Sequence, residues 1–555
     1  MIPSALPLEG LRAVLAPSAL RFHRALRNPE AAQAVCLERV LRSVRGSQQA
    51  ERIAGFRHLR STRDFQDAVP WVTPDALVPD LERIAAGASR VLTRESVLRF
   101  ELSGGSSGAS KRVPVTRGLL DEFQRALSPM LFEILHRRPS VRMGPSYWSI
   151  SPLARKQERT AGGIPVGSAD DSAYFSRTLR PLLSRIFAVP GDVGALPDVE
   201  SCRYVTLWHL VACEDLTLIS VWNPSFLSLL MAALERHGDR LAEDLRRGVC
   251  RPPTSGAGQD DAALRQVMSR MCFSPRPERA SRLRDLLRSG GSARELWPRL
   301  SLLSMWTDAQ AAHALPAACQ RFPDVEVQGK GLLATEGVVT VPLFDAPAPV
   351  LAVRSHFYEF IDPEQPTLRP RLAHELEQGR TYGVLLTTSG GLLRYRLGDL
   401  VRVEGFRQAT PCLRFVGRAD AVCDLVGEKL SATRVGAVLD AILPEHFGGA
   451  RPRFAMLAPE WAPTPSYVLF LETQAPLARL SAAAEAVERA FCEGHHYRYA
   501  RELGQLGAVR AVRVVEGVRH YESRCVALGQ RAGDIKPVDL HRLPGWSDHF
   551  SGAAA

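Results

Sequence analysis

Strand-like apolar runs alternate with helical windows through the middle of this 555-residue sequence. Runs at 216–222 and 300–306 are each followed by a window of helical periodicity, at 225–236 and 308–321. Further strand-like runs lie at 338–343, 350–361 and 383–388. Because strands and helices alternate instead of occurring in separate blocks, the pattern predicts the α/β fold class.

After residue 417 the pattern changes to a compact series of short elements. A helix, two strands, a second helix and a final strand are expected at 432–443, 454–458, 467–472, 481–493 and 509–515. A unit of about 135 residues is within the usual size range of a domain. We therefore predict a large N-terminal domain of mixed sheets and helices, 1–419, and a small α+β C-terminal domain, 420–555.

Arginine provides nearly all of the positive charge of this chain. Of the 70 basic residues only five are lysines: Lys111, Lys156, Lys330, Lys429 and Lys536. An ammonium group is a compact point charge that a planar guanidinium does not reproduce, so positions that remain lysine are candidates for a specific role. All except Lys156 lie in glycine-containing segments, and Lys156 is typical of an ordinary surface cation.

Composition excludes several classes of protein. The net charge of +11 is spread along the chain among acidic residues, which favours a solvated surface over a nucleic-acid interface. Ten scattered cysteines without a Cys-x-x-Cys pair indicate reduced thiols, no structural zinc site and a cytoplasmic location. Prolines and charges interrupt residues 1–20, and no window reaches the ~18 uncharged apolar residues of a membrane span, so we expect neither secretion nor membrane insertion.

A glycine- and serine-rich segment at 103–111, SGGSSGASK, follows a strand-like run and precedes a short extended piece and a helix that starts near Arg117. Glycines let backbone N–H groups approach an anion closely, and serine hydroxyls and a lysine add donors, so the segment can hold phosphates. It is not a P-loop, because Ala109 and Ser110 separate the last glycine from Lys111. Taken alone, such a segment is also typical of an ordinary turn.

Three more segments complete a pattern: LATEG at 333–337, YRLGD at 395–399 and GRAD at 417–420. Together with 103–111, their order and spacing resemble those of adenylate-forming enzymes. More narrowly, the chain resembles the bacterial branch of the auxin-responsive promoter family, whose plant members are acyl acid amido synthetases. The resemblance extends over nearly the whole chain, through further segments at 163–171, 220–227, 357–361, 387–391 and 496–501.

The resemblance implies a role for individual residues. The β- and γ-phosphates of ATP would be held by Ser103, Gly104, Ser106, Ser107 and Gly108. Lys111 would assist the leaving pyrophosphate, Thr335 would contact the adenylate phosphate and Glu336 would hold Mg2+. The nucleotide would also be bound by Asp399 through its ribose, by Arg418 and by Lys429. Asp420 would be the hinge, and Lys536 would be the catalytic lysine carried by a mobile C-terminal domain.

The implied activity has two half-reactions. A carboxylic acid is adenylated by ATP with Mg2+, and the acyl group then passes to an amino acid or amine, so these small molecules are the expected partners of a monomeric ligase. One alternative is transfer to coenzyme A or a carrier thiol. Another is a catalytically degenerate nucleotide-binding protein, because Leu102 and Gly105 stand where the family usually has threonine.

On residue type alone, several of these positions have simpler interpretations. Asp399 is equally typical of a turn, Glu336 of a solvated acid and Lys429 of an exposed loop. Lys330 adjoins the segment at 333–337 but is also compatible with a structural role, and its function stays open at this point. His356 is interpreted as a lone histidine, which is more often a surface or core residue than a base.

Overall fold

A computed structural model of the chain describes most of its length. The described residues are 5–103, 111–149, 158–167, 186–253, 260–419, 422–423, 425–426, 428, 430–461, 464–502, 505–528, 530 and 535–552. Within these residues the architecture is mixed α/β, with a large N-terminal part and a smaller C-terminal part, which confirms the predicted fold class.

The N-terminal segment is helical. Its helices are α1 (Ala5–Ala25), α2 (Pro29–Val44), α3 (Gln48–Arg52), α4 (Thr62–Ala68) and α5 (Val78–Ala85). The first of these accommodates Pro17 and buries Leu8, Leu11 and Leu15, which recur at helical spacing and face the core of the large domain. The prolines and charges at 1–20 do not predict this helix, so here the structure differs from the sequence pattern.

The predicted strand before the glycine-serine segment and the extended piece and helix after it are present. β1 (Arg99–Ser103) and β2 (Lys111–Val115) pair antiparallel, with Ser103 opposite Lys111. Thr116 caps the following helix, α6 (Arg117–Arg137), because its side chain accepts a hydrogen bond from the amide of Leu119. On the other side of β1 the sheet continues through β5 (Pro165–Val166) and β4 (Glu158–Arg159).

A parallel sheet occupies the middle of the large domain. It contains β3 (Ser146–Trp148), β6 (Leu218–Ser220), β7 (Leu302–Met305) and β8 (Glu326–Gly329), in that order. The helices that follow and precede its strands are α7 (Val199–Ala212), α8 (Pro224–Arg247), α9 (Asp260–Met268), α10 (Pro277–Ser289) and α11 (Gln310–Cys319). Leu207 of α7, Leu303 of β7 and Trp297 are fully buried in one hydrophobic cluster with these helices. Because the four strands pair in parallel, their carboxyl ends meet at one edge of the sheet.

A long antiparallel sheet forms the second layer, and its strand order is β11-β12-β17-β16-β15-β13-β14. Its strands are β11 (Thr340–Val341), β12 (Val350–Leu351), β13 (Phe357–Ile361), β14 (Arg371–Leu372), β15 (Thr381–Thr387), β16 (Tyr395–Arg407) and β17 (Thr410–Arg418). A short hairpin of β9 (Leu333–Ala334) and β10 (Gly337–Val338) precedes it and carries Thr335 and Glu336 in its turn. The sheet and helices α1 and α6 share one hydrophobic core.

The C-terminal part has its own core. Its strands are β18 (Val422–Cys423), β19 (Leu430–Ser431), β20 (Ala455–Glu460), β21 (Ser466–Leu471) and β22 (Arg510–Arg513). Its helices are α12 (Ala432–His446), α13 (Leu477–Cys492), α14 (His495–Glu502), α15 (Gly517–Ala527) and α16 (Trp546–Gly552). The buried residues around β20 and β21 form clusters drawn only from positions 423 onward. This separate core agrees with a small α+β domain, and a boundary at 419/420 stays a prediction.

No helix among the described residues is both long enough and apolar enough to cross a membrane.

Candidate functional site

Glu336 is the buried acid of the site. Its position in the turn between β9 and β10 leaves it 8% exposed, and Tyr395, the first residue of β16, donates its hydroxyl to Glu336 Oε1 at 3.3 Å. Burial raises the pKa of Glu336, while the positive charges of Arg418 and Lys111 act in the opposite direction. A carboxylate desolvated in this way favours a cation beside it.

Asp399 and Arg418 face each other across two neighbouring strands. They are partners in the register of β16 and β17, and Arg418 Nη1 lies 3.2 Å from Asp399 Oδ1. Arg418 also donates from Nη2 to the carbonyl oxygen of Leu397 at 3.2 Å, which fixes the guanidinium along the strand. Since Asp399 is only 5% exposed, the ion pair holds its carboxylate in one direction beside Tyr395.

Lys111 reaches the same region from the glycine-serine segment. It starts β2, and its Nζ lies 3.9 Å from Asp75 Oδ1 on the solvent side. The Lys111 charge also acts on Glu336, so the residues that follow the segment lie near the buried acid. Backbone pairing of β1 and β2 places Ser103 directly opposite Lys111.

Lys536 comes to the large domain from the C-terminal part of the chain. Its Nζ lies 4.5 Å from the ring centroid of Trp306, the residue that follows β7 at the carboxyl edge of the parallel sheet. Cations are attracted to the face of an aromatic ring at this distance. The sequence predicted a specific role for Lys536 but did not indicate that its ammonium group would lie over a tryptophan ring.

The two parts of the chain are also joined beside Lys536. Arg203 of α7 forms an ion pair of 2.6 Å with Glu522 of α15, and each side chain is 10% exposed. Burial raises the pKa of the Glu522 carboxyl, and the Arg203 charge opposes that shift. A small apolar cleft next to this pair is lined by Phe226, Leu229, Val518, Tyr521, Ile535 and Pro537.

Lys330, whose role the sequence left open, is buried at the same edge as Trp306. It is 8% exposed, and its Nζ lies 2.8 Å from Ser220 Oγ. The ring centroids of Trp222 and Trp148 are 4.9 and 5.6 Å away from that Nζ. The residue is therefore not a surface cation.

A buried network that the sequence analysis missed lies behind Glu336. Glu122 of α6 accepts hydrogen bonds from Ser389, at 2.6 Å from the hydroxyl, and is 3.0 Å from His356 Nδ1. His356 Nε2 accepts the amide hydrogen of Val338 at 3.1 Å. Because that nitrogen is an acceptor, the proton of a neutral imidazole lies on Nδ1 and points to Glu122. The network thus joins α6 to the hairpin that carries Glu336.

Comparison with known proteins identifies the family. A model of the GH3 family N-terminal domain matches residues 19–327, and a model of the GH3 family central domain matches residues 349–418. The chain belongs to the GH3 family. This result confirms the resemblance that the sequence motifs indicated.

Among curated GH3 relatives, "Probable indole-3-acetic acid-amido synthetase GH3.12" of Oryza sativa subsp. japonica is 25% identical over 576 residues, which cover 93% of this chain and 92% of that protein. Indole-3-acetic acid-amido synthetase GH3.3 of Arabidopsis thaliana is 23% identical and aligns with 76% of this chain and 73% of its own length. Among solved structures, the GH3.15 acyl acid amido synthetase superposes with a TM-score of 0.80 at 17% identity, covering 98% of this chain and 96% of that one. The last match establishes the fold.

The structure brings several of the predicted GH3 site residues together and is silent on others. Glu336, Asp399, Arg418 and Lys111 lie within one electrostatically coupled group around Tyr395. Thr335 shares the hairpin turn with Glu336. The roles of the other predicted positions stay predictions, because these positions lie outside the described residues: Gly104, Ser106, Ser107, Gly108, Asp420, Lys429 and the side chain of Ser103.

The donor set suits ATP and Mg2+ rather than an all-protein metal cage. In the described part of the chain, no three His, Cys, Asp or Glu side chains cluster as a metal site. Mg2+ is commonly held by one or two carboxylates together with substrate phosphates, and the buried Glu336 carboxylate supplies one such ligand. The residues present therefore fit a nucleotide-bound magnesium ion.

Proposed function

We propose that this protein is an ATP-dependent acyl acid–amido synthetase, a ligase that forms a carbon–nitrogen bond between a carboxylic acid and an amino acid or amine. The names of its full-length relatives support this reaction class. The observation that carries the proposal is the convergence of Glu336, Tyr395 and the Asp399–Arg418 ion pair in one buried group. The group combines a site for a metal-bound phosphate with an acceptor for the ribose hydroxyls.

In the first half-reaction, a carboxylate oxygen of the substrate acid attacks the α-phosphorus of ATP. The bond to the β-phosphate oxygen breaks, and pyrophosphate leaves with that electron pair. Negative charge increases on the phosphoryl oxygens during this step, so fixed positive charges lower its barrier. A magnesium ion held by Glu336 and the phosphate oxygens would supply part of that charge.

The chain's own residues orient the substrates around that step. Asp399, held in direction by Arg418, accepts hydrogen bonds from the ribose hydroxyls. Lys111 would assist the leaving pyrophosphate, and the glycine-serine segment before it would bind the phosphates. Lys536 lies beside Trp306, from which its ammonium reaches the oxygen that joins the acyl group to the phosphate.

In the second half-reaction, the nitrogen of a neutral amine attacks the acyl carbon. The bond between that carbon and the AMP oxygen breaks, AMP leaves, and the nitrogen loses one proton. Lys429 and the hinge at Asp420 would act at the domain joint, where rotation of the C-terminal domain would exchange one arrangement for another. We further propose a monomeric protein located in the cytoplasm.

Pyrophosphate exchange tests this function. Purified protein with ATP, Mg2+ and a panel of carboxylic acids is expected to incorporate labelled pyrophosphate into ATP for at least one acid. Amino acids and coenzyme A are then supplied separately. AMP release stimulated by amino acids supports the proposal. Stimulation of AMP release by coenzyme A alone would establish the thiol-transferring alternative. If none of the acids supports pyrophosphate exchange, adenylation itself is contradicted.

A further inference from the structure

The hairpin that carries Glu336 is too short to be rigid by itself. Strands β9 and β10 pair through Ala334 with Gly337 and through Leu333 with Val338. A two-stranded hairpin alone is marginally stable at best, so the direction of a side chain in its turn depends on what the rest of the protein contributes. The Glu336 carboxylate therefore needs support from outside the hairpin if it is to point in one direction.

His356, which precedes β13, and Tyr358 within that strand supply such support. His356 Nε2 accepts the amide hydrogen of Val338 at 3.1 Å, and Tyr358 donates its hydroxyl to the carbonyl oxygen of Val338 at 2.6 Å. The imidazole also packs against Gly337, where an added Cβ would lie 2.8 Å from His356 Nε2. Both backbone polar groups of Val338 are thus held by side chains, and the residue directly after Glu336 is in contact with the ring.

Glu122 of α6 connects this support to the other side of Glu336. Its fully buried carboxylate accepts hydrogen bonds from the Ser389 amide at 3.1 Å, from the Ser389 hydroxyl at 2.6 Å and from His356 Nδ1 at 3.0 Å. Ser389 belongs to the connection from β15 to β16, which leads to Tyr395. Because the Tyr395 hydroxyl contacts Glu336, one buried carboxylate joins both parts of the chain that meet at Glu336.

Stability alone does not account for a charged group at the position of Glu122. Removing a carboxylate from water is costly, and replacing a buried charged pair with well-packed apolar residues is often neutral or stabilising. The hydrogen bonds of Glu122 instead impose directions. They place the imidazole proton of His356 on Nδ1 and leave Nε2 as the acceptor for Val338. Such a network fixes orientation, which an apolar core does not.

We propose that Glu122 and His356 are positioning residues that fix the direction of the Glu336 carboxylate. This inference rests on the proposed function, in which Glu336 holds a magnesium ion together with the phosphates of ATP, and deepens it by adding the residues that keep this ligand in place. Magnesium demands nearly octahedral geometry with ligands at about 2.0–2.1 Å, so a displaced carboxylate binds it less well. Glu122 and His356 act through Glu336 and not on the nucleotide itself.

The first experiment measures metal binding without turnover. Mn2+, detected by electron paramagnetic resonance, is titrated as a substitute for Mg2+ into the protein with a non-hydrolysable ATP analogue. His356→Met removes the acceptor for Val338 and should lower the Mn2+ affinity about 10-fold. His356→Gln keeps an acceptor near the position of Nε2 and should remain within about 3-fold of the wild type. His209→Met, at a half-buried histidine of α7 packed against Trp208 and Phe273, is the control and should bind Mn2+ as the wild type does.

A double-mutant cycle distinguishes positioning from a general structural role. Glu336→Gln should lower the Mn2+ affinity by itself, and His356→Met added to it should lower the affinity no further, because the positioned ligand is already lost. Effects that multiply in the double variant, or equal Mn2+ affinity in the wild type and Glu336→Gln, would overturn the inference. If His356→Met lacks native near-ultraviolet circular dichroism, Glu122→Gln takes its place in the cycle. Its amide nitrogen cannot accept a hydrogen bond, so either the Ser389 contact or the His356 contact is lost while the shape is kept.

The proton position on His356 tests the inference independently of the proposed function. Protein containing 15N-labelled histidine is examined by long-range 1H–15N correlation spectroscopy, and the signals that are absent in His356→Gln are those of His356. A neutral ring with its proton on Nδ1 supports the inference. A proton on Nε2, in a neutral or a charged ring, would overturn it, because Val338 would lose its acceptor. If no acid supports pyrophosphate exchange, the proposed function fails, whereas the Mn2+ and 15N measurements still decide this inference.

Discussion

Charge is held in different ways in two regions of the large domain. Around the β9–β10 hairpin and strands β16 and β17, Glu336 and Asp399 are buried acids supported by a hydroxyl and an arginine, all from the same domain. At the edge of the parallel sheet, Lys330 and Lys536 are cations placed against tryptophan rings, and Lys536 is supplied by the C-terminal part of the chain.

This difference determines what each region can do. Buried acids with partners in the same domain form a fixed site, which suits a nucleotide that must be oriented before reaction. The cationic edge is complete only while the C-terminal domain is docked, because half of its charge arrives with that domain. Changes that affect one region and spare the other therefore test the comparison.

The largest effect is expected from Lys536→Ala. Removing one charge that stabilises the transition state typically costs about 10²–10³-fold in kcat, and pyrophosphate exchange should fall by about 10³-fold with little change in the KM for ATP. Lys156→Ala, at the lysine that the sequence assigns to the surface, is the control. Unchanged pyrophosphate exchange in Lys536→Ala would show that this residue is not catalytic. Loss of exchange in Lys156→Ala would contradict the selection of lysines as functional candidates.

Glu336→Gln should lower exchange by about 10²-fold, because a neutral amide is a poor ligand for a hard cation. Burial raises the folded-state pKa of Glu336 in the protein without metal, so kcat/KM, which reports the free enzyme, should fall on acidification at a pH above the ordinary range of a glutamate. The variant should lack this acid limb. A pH–rate profile that is identical in both proteins would contradict the assignment.

The raised pKa of Glu336 also predicts how folding stability changes with pH. Activity should fall as the pH is lowered, whereas stability should fall as the pH is raised. A carboxyl with a raised folded-state pKa favours the folded protein in its protonated form, and that contribution is lost as pH rises through the folded-state pKa. Glu336→Gln should therefore unfold at a higher temperature than the wild type at neutral pH, without ligand. Thermal melts at pH 5 and pH 8 measure the difference, which should be larger at pH 8.

Local signals in the sequence were sufficient for much of the fold. The strands β1 and β2 and the start of helix α6 follow from signals within a few residues, namely the alternating pattern of the first strand, the extended piece and the helical window that begins near Arg117. The motif residues Glu336 and Asp399 were selected by family patterns that are local in sequence; both are buried in the structure, and their roles stay predictions. Helix α1 was missed because its prolines concealed an apolar face that only the rest of the core completes.

Contacts between distant positions could not be predicted in this way. Glu122 and His356 are 234 residues apart, and neither residue type nor spacing indicated that they meet. Lys330 contacts Ser220, which is 110 residues away in the sequence, and Trp148, which lies on another strand. The residue types and spacing in a single sequence do not indicate such pairings, because the pairings depend on how the strands of a sheet are ordered.

A smaller effect is expected from Asp399→Asn. The amide keeps the shape but loses the charge that pairs with Arg418 and one of the two oxygens that can accept from the ribose hydroxyls. We expect the KM for ATP to rise about 10-fold with a smaller change in kcat, consistent with loss of a hydrogen bond to a charged group. The variant Tyr395→Phe is the comparison for Asp399→Asn, because it removes the hydroxyl beside Glu336 and leaves Asp399 in place. A kcat loss larger than the KM change would place Asp399 in the chemical step instead.

The smallest effect is expected at the domain joint, where the two regions can be separated most cleanly. Arg203→Ala leaves the Glu522 carboxylate buried without its partner and should weaken docking of the C-terminal domain. Exchange should fall about 3- to 10-fold, whereas AMP binding measured by calorimetry should not change, because Glu336 and Asp399 are untouched. Arg519→Ala, which breaks an exposed pair with Glu516 near the start of the same helix α15, is the matched control. Restoration of exchange in the double variant Arg203→Ala with Glu522→Gln would identify the unpaired charge as the cause, and equal losses in exchange and AMP binding would show that the two regions are not independent.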